Sequence, residues 1–106
     1  MSTSYRRYEI LLPRQFNDGR RVPPRLVTET LIELREQFGA ASQETQIIRG
    51  QWQHAAEIYH DQFVRIFVDV EDTSDNRQFF IELKGRLKAR FQQIEIWLTS
   101  SPIDLL

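Results

Sequence analysis

The stretch from Thr45 to Val70 reads TQIIRGQW, then QHAAEI, then YHDQFVRIFVDV. Apolar and polar residues alternate through both outer pieces, which is the period of a pleated strand. Between them His54-Ala55-Ala56-Glu57 forms a hairpin connection, although Ala-Ala is not a favoured turn pair. With the turn centred on Ala55-Ala56, Trp52 lies opposite Tyr59, Ile48 opposite Phe63 and Gln46 opposite Arg65. One face of the hairpin then carries Ile48, Trp52, Tyr59, Phe63 and Phe67, and the other carries Ile47, Val64, Ile66 and Val68. A slip of one residue would exchange the pairings and leave the alternation within each strand intact.

Upstream of the hairpin, Tyr8 to Leu12 has the same period and ends at Pro13. A polar loop from Arg14 to Val22 follows, with the turn signal Asn17-Asp18-Gly19. Pro23-Pro24 then opens a helix, since proline is tolerated in a first turn. Val27, Leu31, Leu34 and Phe38 recur at helical spacing, Glu29, Glu33 and Arg35 fall on the wet side, and Gly39 supplies a stop. The first helix is expected over Pro24 to Phe38. Downstream, the acids and small polar residues from Asp69 to Asn76 precede a second stripe of Phe80, Leu83, Leu87 and Phe91, with Thr73 or Ser74 as the cap. A last strand is expected at Ile94 to Leu98, broken by Pro102. Strand, helix, strand, strand, helix, strand is the order of a ferredoxin-like α+β sandwich. The expected architecture is a four-stranded antiparallel sheet with two helices on one face, spanning 1–106 as a single domain.

Composition agrees with a folded chain of this size. The 106 residues are 41% hydrophobic and 11% aromatic, enough for one core and too many apolar side chains for intrinsic disorder. Fourteen basic residues against fifteen acidic ones leave a net charge of -1, so no global field steers the chain to nucleic acid or an anionic membrane. The absence of cysteine removes disulfides, thiolate catalysis and cysteine zinc sites. No bilayer-spanning run or signal-peptide apolar stretch is visible, and the expected location is the cytoplasm.

The sheet has two sides with different demands. Ile10, Leu12, Val64, Ile66, Val68, Ile94, Ile96 and Leu98 are expected beneath the helices. The open side would hold Glu9, Leu11, Ile48, Trp52, Phe63, Arg65, Phe67, Glu95 and Trp97, and a face in water normally alternates to polar residues. Trp52, Phe63, Phe67 and Trp97 together would exceed what a soluble monomer exposes. Trp52, Phe63, Arg65, Phe67, Glu95 and Trp97 are therefore the candidate ligand or partner face. A homodimer packed through it, or the tail from Ile103 to Leu106 folded over it, would cover the apolar surface. A pocket for a small ligand between paired sheets is the sharper alternative.

Other candidate chemistry has a plainer explanation. His54, Glu57, His60 and Asp61 look like metal ligands, but the hairpin register puts the two histidines on opposite faces and the spacing is not that of a zinc-protease helix. Asp69, Glu71, Asp72 and Asp75 lack the glycine and spacing of a calcium loop and suit a helix N-terminus. Arg14, Arg20 and Arg21, in the loop before the first helix, are the candidate anion contacts, because guanidinium forks match carboxylate and phosphate. No metal or cofactor is called for by any of these patterns, and no catalytic motif is present.

Two resemblances accompany this reading. The strand Asp61 to Val68, with aromatics four residues apart around Arg65, is similar in layout to RNA-recognition domains, but their Gly-aromatic-Gly-aromatic signature is missing and Leu11 stands where an aromatic would help. Over the whole chain the architecture resembles dimeric α/β-barrel proteins, whose paired sheets enclose pockets used by monooxygenases and isomerases. The run Arg49-Gly50-Gln51-Trp52 through Phe91 and Ile96-Trp97 also resembles short uncharacterised bacterial proteins. These resemblances imply a fold and a dimer, with no activity and no catalytic residue attached.

Overall fold

The computed structural model describes residues 3–106. Five strands and two helices follow one another as β1 (Tyr5–Pro13), α1 (Pro24–Phe38), β2 (Ser42–Gln43), β3 (Ile48–His54), β4 (Glu57–Glu71), α2 (Ser74–Arg90) and β5 (Trp97–Ile103). All the strand pairs are antiparallel, with β5 beside β1, β1 beside β4, and both β2 and β3 on the far edge of β4. The fold is α+β and ferredoxin-like. The expected second strand, Thr45 to Trp52, begins only at Ile48, and a two-residue strand outside its expected bounds precedes it: Ser42 pairs with Phe67 and Gln43 with Ile66, whereas Ile48 pairs with Phe63. Four residues, 44–47, thus oppose the two residues 64–65, and this irregularity detaches the expected Gln46 to Arg65 pairing.

The hairpin register matches the expectation, with Ile48 opposite Phe63, Trp52 opposite Tyr59 and His54 opposite Glu57. Ala55 turns the chain at φ 54°, a left-handed conformation that alanine adopts only under constraint. The first helix spans Pro24–Phe38 as expected, and Gly39 ends it at φ 86° with its N–H donating to Arg35 O. Thr73 caps α2 by accepting the N–H of Asn76 at 3.1 Å.

The core lies between the helices and one side of β1, β4 and β5. Tyr8, Ile10, Leu12, Ile66, Val68 and Val70 point into it from the sheet, against Leu26, Leu34, Phe80, Leu83, Leu87 and Phe91. The helical stripe of α1 is rotated from the expected one. Leu26, Thr30 and Leu34 are buried, while Val27, Leu31 and Phe38 pack at its margin. Thr30 escapes a hydrophobic reading because its hydroxyl is satisfied inside the helix, donating to Leu26 O at 2.8 Å.

Thr30 also accepts from Arg90 at 2.9 Å, and Arg90 and Arg86 both grip Glu33, at 2.9 and 2.7 Å. Glu33 is therefore a strut between α1 and α2 and not a freely hydrated residue. Burial alone would push its carboxyl upward, but the hydrogen bonds and charges of Arg90 and Arg86 outweigh burial and hold it below the ordinary carboxylate value. A depressed folded-state value contributes stability above the unfolded value of about 4.3, and that stability is lost as pH falls through the folded one. Urea midpoints are accordingly expected to drop on acidification from pH 6 toward pH 3. Glu33→Gln should flatten that slope; an unchanged slope would show that the strut does not titrate.

The last strand differs most from expectation. Gln92 adopts φ 54° after α2, and the segment around Ile94 is a loop, leaving that side chain 90% exposed. The strand begins at Trp97 and continues through Pro102, which faces Arg6 in the register. Proline is accommodated because β5 is an edge strand and need not donate outward. Ile96 is buried as expected, whereas Ile94 is not in the core; Val64 and Leu98 are only half-buried.

Tyr8 is buried against Phe80, the rings stacked at 3.8 Å, and its hydroxyl has no hydrogen-bond partner among the described residues. Burial pushes the phenol above its ordinary value, against the opposing charges of Arg6 and Arg77. Because an unsatisfied buried hydroxyl costs free energy, Tyr8→Phe is expected to raise stability by about 1 kcal/mol, read as an increase in the urea or thermal midpoint. A lower midpoint would show that the hydroxyl finds a partner in solution.

Candidate functional site

The open side of the sheet is a ladder that can be followed rung by rung from the antiparallel register. At the free end of the hairpin Trp52 stands beside Tyr59, then Gly50 beside Asp61, then Ile48, Phe63 and Pro13. Across the body of the sheet come Arg65, Leu11 and Trp97, then Phe67, Glu9 and Thr99, then Asp69, Arg7 and Ser101. Strand alternation places all of these on the side away from the helices.

The aromatic residues are held in different ways along this ladder. Phe67 lies between two guanidinium groups, those of Arg7 and Arg65, each 4.7 Å from its ring centre. Each arginine is in turn neutralised: Arg7 makes two bonds to Asp69 at 2.8 and 3.0 Å, and Arg65 bonds Glu9 and, at 2.9 Å, Glu44. The hydrogen bonds from Arg7 hold the Asp69 carboxyl below its ordinary value despite partial burial. Trp52 stacks on Tyr59 at 4.3 Å, and its indole N–H donates to Asp61 at 2.7 Å. The edge of the Phe63 ring covers Gly50, where an added Cβ would approach Phe63 Cε2 to 3.1 Å. Trp97 has no such cover and is 65% exposed.

Of the expected face residues, Trp52, Phe63, Arg65, Phe67 and Trp97 share the ladder. Among the described residues no ring contact joins the four aromatics to one another, and the paired charge of Arg65 stands between Phe63 and Phe67. Glu95 is not on this face. It precedes β5, accepts the N–H of Ile96 at 3.0 Å and pairs with Lys84 at 2.8 Å on α2. That lysine, together with the Ile96 amide and Lys88, holds its carboxyl below the ordinary value. Alternation from Trp97 misplaced it because the chain is not yet a strand at that point.

Beyond Phe63 the hairpin leaves the body. Strand β1 pairs with β4 only from Phe63 onward, so among the described residues each strand of the tip, Gly50 to Asp61, pairs only with the other. The molecule measures 52 × 29 × 25 Å. Trp52 and Ile58 on this arm are 51% and 60% exposed. The arm was legible as a hairpin, but its projection was not, since that depends on where β1 stops. The tail follows β5 and leaves Leu105 and Leu106 exposed, so it does not cover the open face.

The remaining candidates separate clearly. His54 and Glu57 flank the turn, His60 pairs with Gln51 and Asp61 bonds Trp52. Among the described residues no group of three His, Asp or Glu gathers as metal ligands. Arg14 donates to Gln62 at 2.9 Å and borders, with Arg21, a cavity of about 250 Å³ under α1. Arg20 turns away to Asp18 at 2.6 Å, so the three arginines do not form one cluster.

A two-layer ferredoxin-like domain with a bare sheet face and a projecting arm is what these elements define. Solved structures share the fold. A divalent cation tolerance protein (Cut A1) from Thermus thermophilus superposes with a TM-score of 0.65 at 16% identity, covering 95% of this chain and 85% of that one. A phage SAM lyase in complex with S-methyl-5'-thioadenosine superposes at 0.67 with 13% identity, covering 99% of this chain and 93% of that one. Identities this low establish architecture alone. No protein-family model matches the sequence, and no curated protein matches it. Among the described residues no helix is long and apolar enough to cross a membrane.

Proposed function

We propose that this chain is a small binding protein that works as a homo-oligomer, its copies meeting through the open sheet face and the arm. The projection of an unsupported hairpin carries the reading. An isolated two-stranded hairpin is marginal in water, and one bearing exposed Trp52, Ile58 and Tyr59 leaves apolar surface that a second copy would bury. Among the described residues the outer edges of β3 and β5 are both unpaired, giving two strand edges that another copy could extend. The open face also suits a like partner: its charges alternate in sign, Arg7 with Asp69 and Arg65 with Glu9, so a copy of itself presents complementary groups. A cytoplasmic setting and a dimer as the smallest assembly fit this reading.

Sedimentation at roughly 100 µM fills even a micromolar interface. The expected mass is a multiple of 12.7 kDa. A single 12.7 kDa species at that concentration would overturn the proposal.

A further inference from the structure

The loop between β1 and α1 is folded on itself. Phe16 N–H donates to Arg20 O at 2.8 Å, Gly19 N–H to Phe16 O at 2.9 Å and Val22 N–H to Arg14 O at 2.9 Å, with Gln15 bridged to Arg21. Gly19 makes the turn at φ 89°, and Val22 anchors the returning limb in the core. The arginines of this loop are thus displayed from a fixed support. Arg20 is engaged by Asp18 and by the Phe16 ring, 4.9 Å away. Arg14 and Arg21 instead border the cavity, whose apolar wall is formed by Val27, Ile47 and Val64.

Glu44 still donates its N–H to Arg65 O at 2.9 Å, and residues 45–47 then bulge out of the ladder beside the cavity, with Val64 half-covered and Ile47 at the rim. No carboxylate is among its lining residues. Arg6, Arg7, Arg20, Arg25, Arg65, Arg86 and Arg90 are each paired with an acid, and of the arginines left without one among the described residues it is Arg14 and Arg21 that share this cavity. Two uncompensated guanidinium groups on one concave surface focus positive potential into it. Gln62 holds one N–H of Arg14 and leaves the rest of the fork free.

We infer that this cavity binds a small organic oxyanion, a carboxylate or a phosphate monoester. Its charged head lies on Arg14 and Arg21, and its apolar body lies against Val27, Ile47 and Val64. The volume is below that of drug-sized sites, which favours a compact ligand. Val64 and Val27 place the cavity on the helix side of the sheet, so its occupancy does not depend on self-association through the other face.

Amide NMR titration of the full chain with phenyl phosphate, benzoate and inorganic phosphate tests the assignment. Phenyl phosphate or benzoate should give saturable shifts at Arg21, Val27, Ile47 and Val64, and whichever binds tighter identifies the head group. Inorganic phosphate should bind more weakly than phenyl phosphate, since it lacks the apolar body. Arg21→Gln should weaken binding by roughly tenfold or more, the worth of a charged hydrogen bond, while Arg20→Gln changes it less than about twofold. Absence of saturable shifts up to about 20 mM probe would overturn the proposal, as that is far weaker than compact ligands achieve in a formed site. Equal losses in the Arg20 and Arg21 variants would also overturn it, by showing a diffuse charge effect.

Discussion

Phe80→Ala is expected to remove about 3 to 5 kcal/mol of folding free energy, a large share of the roughly 5 to 15 that holds a domain of this size together. The side chain is buried where α2 meets both the sheet and α1. Its ring stacks on Tyr8 at 3.8 Å, lies parallel to Phe38 at 5.3 Å and meets Phe79 edge-on at 5.4 Å. Truncation thus removes one aromatic that links three elements and leaves a cavity its neighbours cannot fill without moving. Urea unfolding checks this directly through the midpoint. A cost below about 1 kcal/mol would mean that the core collapses around the gap and that the aromatic cluster is not the centre of the fold.

Trp97→Glu is expected to weaken self-association by roughly thirtyfold or more, corresponding to about 2 kcal/mol for an aromatic anchor buried in an interface. Trp97 is exposed in the free chain, so the substitution does not disturb the core and its effect is read on assembly alone. Ile94→Glu is the matched control. Ile94 is more exposed than Trp97 but sits in the loop after α2, off the ladder, and its substitution should leave the mass distribution unchanged. Trp52→Glu separates the arm from the body: a loss equal to that of Trp97 places both in one interface. Unchanged assembly of both tryptophan variants would remove the open face from consideration.

The order of elements, the limits of α1 and the pairing of Trp52 with Tyr59 were all legible in the sequence. Local rules govern each of them: helical spacing between Pro24 and Gly39, period-two alternation in β4, and a turn that sets register. The Thr73 cap was readable for the same reason. The face residues Phe63, Arg65, Phe67 and Trp97 followed from alternation once the helices were assigned to one side.

Other features depended on what each segment meets after folding. Ile94 and Glu95 alternate like a strand, but α2 ends in a left-handed turn at Gln92 and its lysines capture Glu95, so pairing starts only at Trp97. Thr30 and Glu33 look hydrophilic, yet Arg90 and Arg86 come from a helix more than fifty residues away and offset the cost of their burial. The break between β2 and β3 has no local marker, and with it came the cavity beside Arg14 and Arg21, while the arm projects because β1 stops pairing with β4 at Pro13. Sequence periodicity by itself determined which side of each strand faces the helices, because backbone geometry alternates side chains without reference to anything distant. Tertiary structure decided where each strand stops pairing and which charges find partners, because those outcomes depend on contacts between residues far apart in the chain.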